Sequence, residues 1–141
     1  MTKEPKNVLV IGGGLGGMQA AWVSALRGHK VTLVEKSYTL GGQMRLAAYP
    51  PGKGDITNLV RNFIARCDEY GVKVLLNTEA TEELVKEMNP DVCIVATGAT
   101  PLVLPIPGIN DVGVINAIDL LDGQKACGTK VLVVGGGMVG A

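Results

Sequence analysis

The sequence is poor in the side chains that usually carry chemistry. It holds one histidine, one tryptophan and one phenylalanine among 141 residues. Its three cysteines, Cys67, Cys93 and Cys127, are too far apart for a Cys-x-x-Cys metal or redox pair and read as plain thiols of a reducing compartment. Neither sign of charge is in excess: 13 basic residues face 13 acidic ones, which argues against a nucleic-acid or other polyanionic partner. No apolar run reaches the roughly 18 residues of a membrane span. The N-terminus, Met-Thr-Lys-Glu-Pro-Lys-Asn, lacks the apolar core of a secretion signal. A cytoplasmic protein without membrane contact is expected.

What the chain has instead is glycine, 20 residues of it, and short β-branched runs within a 47% apolar composition. Such runs suit a parallel sheet covered on both faces, and the length allows one core. The organising stretch is Val8-Leu9-Val10-Ile11-Gly12-Gly13-Gly14-Leu15-Gly16-Gly17. A strand runs into glycines at positions 12, 14 and 17, an apolar helix follows, and Glu35 ends the next apolar run. Strand, glycine turn, helix and second strand together make a dinucleotide-binding unit. The fold class is α/β, a Rossmann-like doubly wound parallel sheet, truncated.

Taken in order, Asn7–Ile11 is the first strand and residues 15–27 the first helix, with Met18, Ala21, Trp22, Ala25 and Leu26 on one face. Gly28 closes it as a left-handed cap, and residues 31–35 are the second strand. A loop over 36–54 contains Leu40-Gly41-Gly42-Gln43, and its length suggests a task of its own. From Asp55, the stripe Ile56, Leu59, Val60, Phe63, Ile64, Cys67 and Tyr70 predicts a second amphipathic helix, closed by Gly71. Residues 72–76 form the third strand, Thr81 caps a short helix over Glu82–Met88 that Pro90 stops, and residues 92–96 form the fourth strand. Residues 1–100 are thus one nucleotide-binding domain.

From Pro101 the texture changes. Pro101, Pro105 and Pro107 open a stiff connector over 101–129, with a short strand expected at 112–115 and a helical turn capped by Asn116. Residues 130–134 then lead into Gly135, Gly137 and Gly140, so 130–141 repeat the opening strand and glycine turn as the start of a second, truncated dinucleotide domain. An unpaired apolar strand at 130–134 is a route to self-association.

In such a turn the first glycine permits the tight bend, the second lets backbone approach a pyrophosphate, and the third lets helix and strand pack closely. The helix presents free N–H groups and its positive end to the phosphates. Glu35, 18 residues beyond Gly17, would accept hydrogen bonds from the adenosine ribose and repel a 2′-phosphate.

Leu40-Gly41-Gly42-Gln43 and Ala96-Thr97-Gly98 resemble motifs of flavoproteins with two dinucleotide domains. Arg27-Gly28-His29-Lys30-Val31-Thr32-Leu33, Pro51-Gly52-Lys53 and Ala96-Thr97-Gly98-Ala99-Thr100-Pro101 narrow the resemblance. They look like the NADH:flavin oxidoreductase family of 2,4-dienoyl-CoA reductase, 2-enoate reductase and trimethylamine dehydrogenase. The resemblance implies FAD at the first turn and NAD(P)H at the second, with electrons passing from nicotinamide to flavin. It puts Gly12, Gly14, Gly16 and Gly17 at the pyrophosphate, Glu35 on the ribose, Gln43 and Lys53 near the phosphate and ribityl portion, and Ala80 at the adenine. Thr97 and Gly98 shape the strand end beside the cofactor, and Gly135, Gly137 and Gly140 begin the NAD(P)H site. The family's FMN and iron–sulfur cluster belong to a barrel this sequence does not contain, and no cluster-type cysteine spacing exists here.

Simpler roles stand beside these. Lys53 also reads as a solvated loop lysine, His29 as a surface residue, Trp22 as core, and Glu82, Glu83 and Glu87 as a solvated helix face. No cysteine pair offers the redox disulfide of the related disulfide reductases. No catalytic residue and no metal-ligand set stand out; in flavin chemistry the protein mainly binds and orients the cofactor. The leading expectation is the FAD-binding part of an NAD(P)H-dependent flavin oxidoreductase, not catalytic by itself. The alternative is a non-catalytic module that holds ADP or NAD. A simple NAD-dependent dehydrogenase is disfavoured by the second glycine turn and by the lack of a substrate domain or catalytic histidine.

Overall fold

The computed structural model describes residues 1–137 and 140. Two compact units divide the chain, Met1–Ala99 and Thr100–Ala141.

In the first unit, strands β1 (Asn7–Ile11), β2 (Lys30–Val34), β3 (Lys73–Leu75) and β4 (Val92–Val95) form one parallel sheet in the order β3-β2-β1-β4. The register sets Ile94, Val10, Leu33 and Val74 in one row across it. That row packs under helix α1 (Leu15–Leu26) and helix α3 (Asp55–Glu69), against Met18, Ala21 and Cys67. The alternate residues Leu9 and Val34 are also fully buried. The unbroken apolar run of β1, Val8 to Ile11, is therefore explained by cover on both faces. β4 differs: Val92, Cys93 and Val95 are exposed, and its outer edge has no strand partner among the described residues.

Helix α1 ends as expected, with Gly28 at φ +99° donating its N–H to the Ala25 carbonyl at 2.8 Å. Leu26 departs from expectation: in the last turn it is exposed rather than core. Trp22 is half-buried, stacked on Tyr70 at 5.8 Å with Arg66 over its other side. The stripe of α3 buries Val60 and Cys67 at its centre and leaves Leu59 and Ile64 at its exposed margins.

Two expectations about loops need correction. The segment 36–54 is not loop throughout: Gln43–Ala47 forms a one-turn helix, α2, started by Gly42 at φ +52°. Residues 112–115 are not a strand, because Gly113 at φ +94° breaks the extended path and Val112 is fully exposed. Helix α4 (Glu82–Met88) is capped as expected, the Leu84 N–H donating to Thr81 Oγ1 at 3.2 Å, and Asn89 ends it in the left-handed region just before Pro90.

In the second unit, helix α5 (Ala117–Leu121) starts on Asn116, whose Oδ1 accepts from the Ile118 N–H at 2.9 Å. Residues 131–136 join no ladder, and Leu132 and Val134 are 87% and 75% exposed. An extended segment becomes a strand only where a neighbour takes its N–H and C=O groups. No helix among the described residues is long and apolar enough to cross a membrane.

Candidate functional site

The site grows from the sheet order. β1 lies between β2 and β4: the chain runs from β1 outward to β2 and β3, then crosses back to β4 on the other side, and this switch in direction opens a crevice at the C-terminal end of β1. The glycine turn occupies that crevice.

Its glycines divide by physical cause. Gly12 has φ +109°, and a Cβ there would strike the Ala96 carbonyl oxygen at the end of β4. At Gly13 it would strike the Leu40 side chain, and at Gly17 the carbonyl oxygen of Gly12. Gly12 and Gly17 are required by the chain's own backbone packing, whereas Gly13 is crowded by a side chain that can give way. Gly14 and Gly16 are neither: a Cβ at either meets nothing within 4 Å, and Gly14 sits at an ordinary φ of −71°. Their missing side chains leave an open approach to backbone. Helix α1 begins on Gly14, which offers no side-chain cap, and its first turn contains no acidic residue. No residue of the helix's own first turn compensates its positive end.

Glu35 follows β2 and turns back to this opening. Its Oε2 accepts from the Gly13 N–H at 2.6 Å, and its Oε1 accepts from the Ser37 N–H at 2.8 Å and the Ser37 hydroxyl at 2.6 Å. Burial pushes the carboxyl pKa up. The Ser37 hydroxyl and amide, the Gly13 amide and the nearby Lys36 charge outweigh that, and the group lies below its ordinary value. It is ionised at neutral pH.

The Leu-Gly-Gly-Gln loop closes one side. The Gly41 N–H donates to the Gly13 carbonyl at 2.8 Å, and Gly41 pairs with Gly14 in an isolated parallel bridge. A Cβ at Gly42 would lie 3.1 Å from Gly14 Cα. Gln43 is turned from the turn itself to the other rim, its Nε2 donating to the Ala99 carbonyl at 2.7 Å. On that rim the Ala96 N–H donates to the Ile11 carbonyl at 2.8 Å, and Thr97 Cα comes within 3.2 Å of a Cβ built on Gly12. Gly98 follows at φ +75°.

Ala80 lies in the loop after β3, in a tight turn where the Thr81 N–H donates to the Glu79 carbonyl at 3.0 Å, two residues beyond Thr78, whose N–H donates to the Glu35 carbonyl at 2.9 Å. Lys53 is exposed in the turn before α3, where its backbone bonds Pro50 and Ile56. The structure therefore gathers Gly12, Gly14, Gly17, Glu35 and Thr97 round one opening, with Gln43 tied across to Ala99. Lys53 makes only these local backbone contacts.

Sequence reasoning passed over Gly13 and Ser37. The available signal was the Glu-Lys-Ser spacing, since a serine two residues beyond an acid can bond back to it.

The described glycines of the second turn repeat those of the first. Gly135 has φ +113°, a Cβ at Gly140 would strike the Gly135 carbonyl oxygen, and Gly137 is open. The Gly12–Gly17 relationship is reproduced without a sheet around it.

His29 lies at the opposite end of the sheet, where its Nδ1 accepts from the Lys6 N–H at 3.2 Å beside an open cavity of about 340 Å³. All three cysteines are free thiols, and burial pushes the Cys67 thiol up, which keeps it protonated and inert. No group of three or more metal-ligating side chains occurs among the described residues.

The sequence pattern of the pyridine nucleotide-disulphide oxidoreductases matches residues 6–141. A metal reductase of Desulforamulus reducens is 43% identical over 99% of this chain and 21% of its own length. A cinnamate reductase of Clostridium sporogenes is 43% identical over 98% of this chain and 20% of its own. The solved 2-naphthoyl-CoA reductase, in complex with 2-naphthoyl-CoA, superimposes with a TM-score of 0.87 at 40% identity, covering 89% of this chain and 19% of that one. The chain spans about a fifth of the length of the curated relatives it matches.

Proposed function

The chain belongs to the pyridine nucleotide-disulphide oxidoreductase family, on its branch of enoate reductase-type flavoproteins, and from that premise we propose that it is the FAD-binding part of an NAD(P)H-dependent flavin oxidoreductase. Gly12 to Gly17 hold the pyrophosphate and Glu35 the adenosine ribose, while Gly135, Gly137 and Gly140 begin the NAD(P)H segment. A bound flavin would supply the hydride acceptor for a reduced nicotinamide, and the chain's own residues would bind and orient it.

The observation that carries this reading is the open space over Gly14 and Gly16. Neither glycine is needed for the fold, and both stand where a diphosphate could meet bare amides at the positive end of α1. The residues fit an ADP moiety in charge as well. An ionised Glu35 accepts from ribose hydroxyls and repels a 2′-phosphate. Gln43, now on Ala99, and exposed Lys53 border the path toward a ribityl chain, and the Ala80 backbone lies on the adenine side. Thr97 and Gly98 form the far rim.

Catalysis is assigned to the whole protein rather than to this piece, because the one titratable group gathered here, the Glu35 carboxylate, is already tied up by Gly13 and Ser37. Exposed Val131 to Val134 and the open edge of β4 give the piece apolar surface for self-association.

The test is direct. The whole protein that contains this chain should carry flavin absorbance that bleaches when NADH or NADPH is added under exclusion of oxygen. A whole protein that has no flavin and takes up no added FAD contradicts the proposal. Equal affinity of the isolated chain for ADP, NAD and FAD, in a whole protein without flavin, identifies a non-catalytic nucleotide module instead.

A further inference from the structure

Glu35 can serve a ribose only if it is ionised and correctly turned, and a carboxylate one residue past the end of β2 is by itself free to be neither. Three donors remove that freedom. The Gly13 amide holds Oε2 at 2.6 Å, and both the amide and hydroxyl of Ser37 hold Oε1, at 2.8 and 2.6 Å. Two of the three are backbone amides that any residue would supply. The hydroxyl is the only part of the clamp that depends on a side chain. It has a second acceptor, the Thr39 carbonyl at 3.1 Å, but its single proton goes to the shorter bond with the charged partner. A carboxylate offers about four acceptor positions. Oε1 is filled by Ser37, and Oε2 keeps one position unused beside the glycine turn.

We propose that Ser37 is a positioning residue for ribose recognition, holding the Glu35 carboxylate ionised and turned so that the free acceptor position of Oε2 serves a ribose hydroxyl. This rests on the reading of Glu35 as the ribose acceptor. It assigns Ser37 no contact with the nucleotide, so its effect must travel through Glu35 alone.

Calorimetric titration of the chain with ADP and with 2′,3′-dideoxy-ADP tests it. The wild type should prefer ADP. Ser37→Ala should weaken ADP by on the order of 5- to 10-fold, the scale of one ordinary hydrogen bond, because the lost bond acts on the ligand only through Glu35. It should leave dideoxy-ADP within about 2-fold, because that ligand has no hydroxyl for Glu35. Ser37→Thr, which keeps the hydroxyl, should restore the preference.

A second readout is pH. Loss of the hydroxyl bond lets burial raise the Glu35 pKa, with Lys36 the one charge opposing it. Ribose preference in Ser37→Ala should then fail at higher pH than in the wild type, with both proteins compared at each pH so that ligand protonation cancels. Wild-type ADP preference and an unmoved acid limb in Ser37→Ala would overturn the proposal alone, as would equal loss of both ligands. A wild type that binds ADP and dideoxy-ADP equally would overturn it together with the ribose role of Glu35.

Discussion

At the scale of single residues, one residue type does three jobs in one turn. Gly12 is there for its positive φ and for the approach of β4, Gly17 for contact with Gly12, and Gly14 for neither. Gly17→Ala should therefore cost about 3 kcal/mol, the upper end for overpacking against rigid backbone, as measured by urea unfolding. A loss below about 1 kcal/mol would mean that helix and strand can part without penalty. The spacing of these glycines was legible in the sequence, but the division of labour was not, because it depends on Ala96 and Leu40 arriving from distant positions. Glu35 shows the same limit. Its proposed ribose role is read from its place after β2 and its contact with Ser37 from the Glu-Lys-Ser spacing, whereas its bond from the Gly13 amide exists only in three dimensions. A carboxyl whose pKa is depressed on folding stabilises the fold above its ordinary value of 4.5, and that contribution is lost as pH falls through the lower folded value. The stability advantage of the wild type over Glu35→Gln should accordingly be constant near neutrality and shrink below about pH 4.5. A constant advantage down to pH 3 would show that the carboxylate is not held as described.

At the scale of elements, legibility followed the strength of the local signal. Helix α3 and helix α4 were readable because an apolar stripe and a capping threonine are written within a few residues of each other. Helix α2 was not, since a single turn of Gln-Met-Arg-Leu-Ala offers no period to detect. Residues 112–115 were misread because a β-branched run resembles a strand until Gly113 bends it. The elements also differ in what supports them. Met18→Ala, in the fully buried heart of α1, should cost about 3 kcal/mol. Thr81→Ala, which removes only the cap of exposed α4, should cost about 1 kcal/mol. Parallel denaturant melts check both, and equal losses would show that α4 is tied into the core more firmly than its exposure indicates.

At the scale of the whole chain, a complete glycine turn sits in a sheet with β3 and β4 at its edges, and the described glycines of a second turn join no sheet among the described residues. That accounts for β4, an apolar strand exposed at Val92 and Val95, and for the exposed run Val131 to Val134. Sedimentation should show concentration-dependent self-association of the chain, reduced by Val133→Lys. A strict monomer at millimolar concentration would mean that these surfaces are harmless as they stand. Everything else depends on whether the first turn binds a dinucleotide's ADP half. The most direct measurement is calorimetric titration of ADP into the wild type and into Gly14→Ala, whose new methyl group meets no protein atom within 4 Å. The expected result is ADP binding by the wild type and at least a tenfold loss in Gly14→Ala, about 1.4 kcal/mol, with an unchanged thermal melt. Equal ADP affinity in the two proteins would contradict the assignment of the turn.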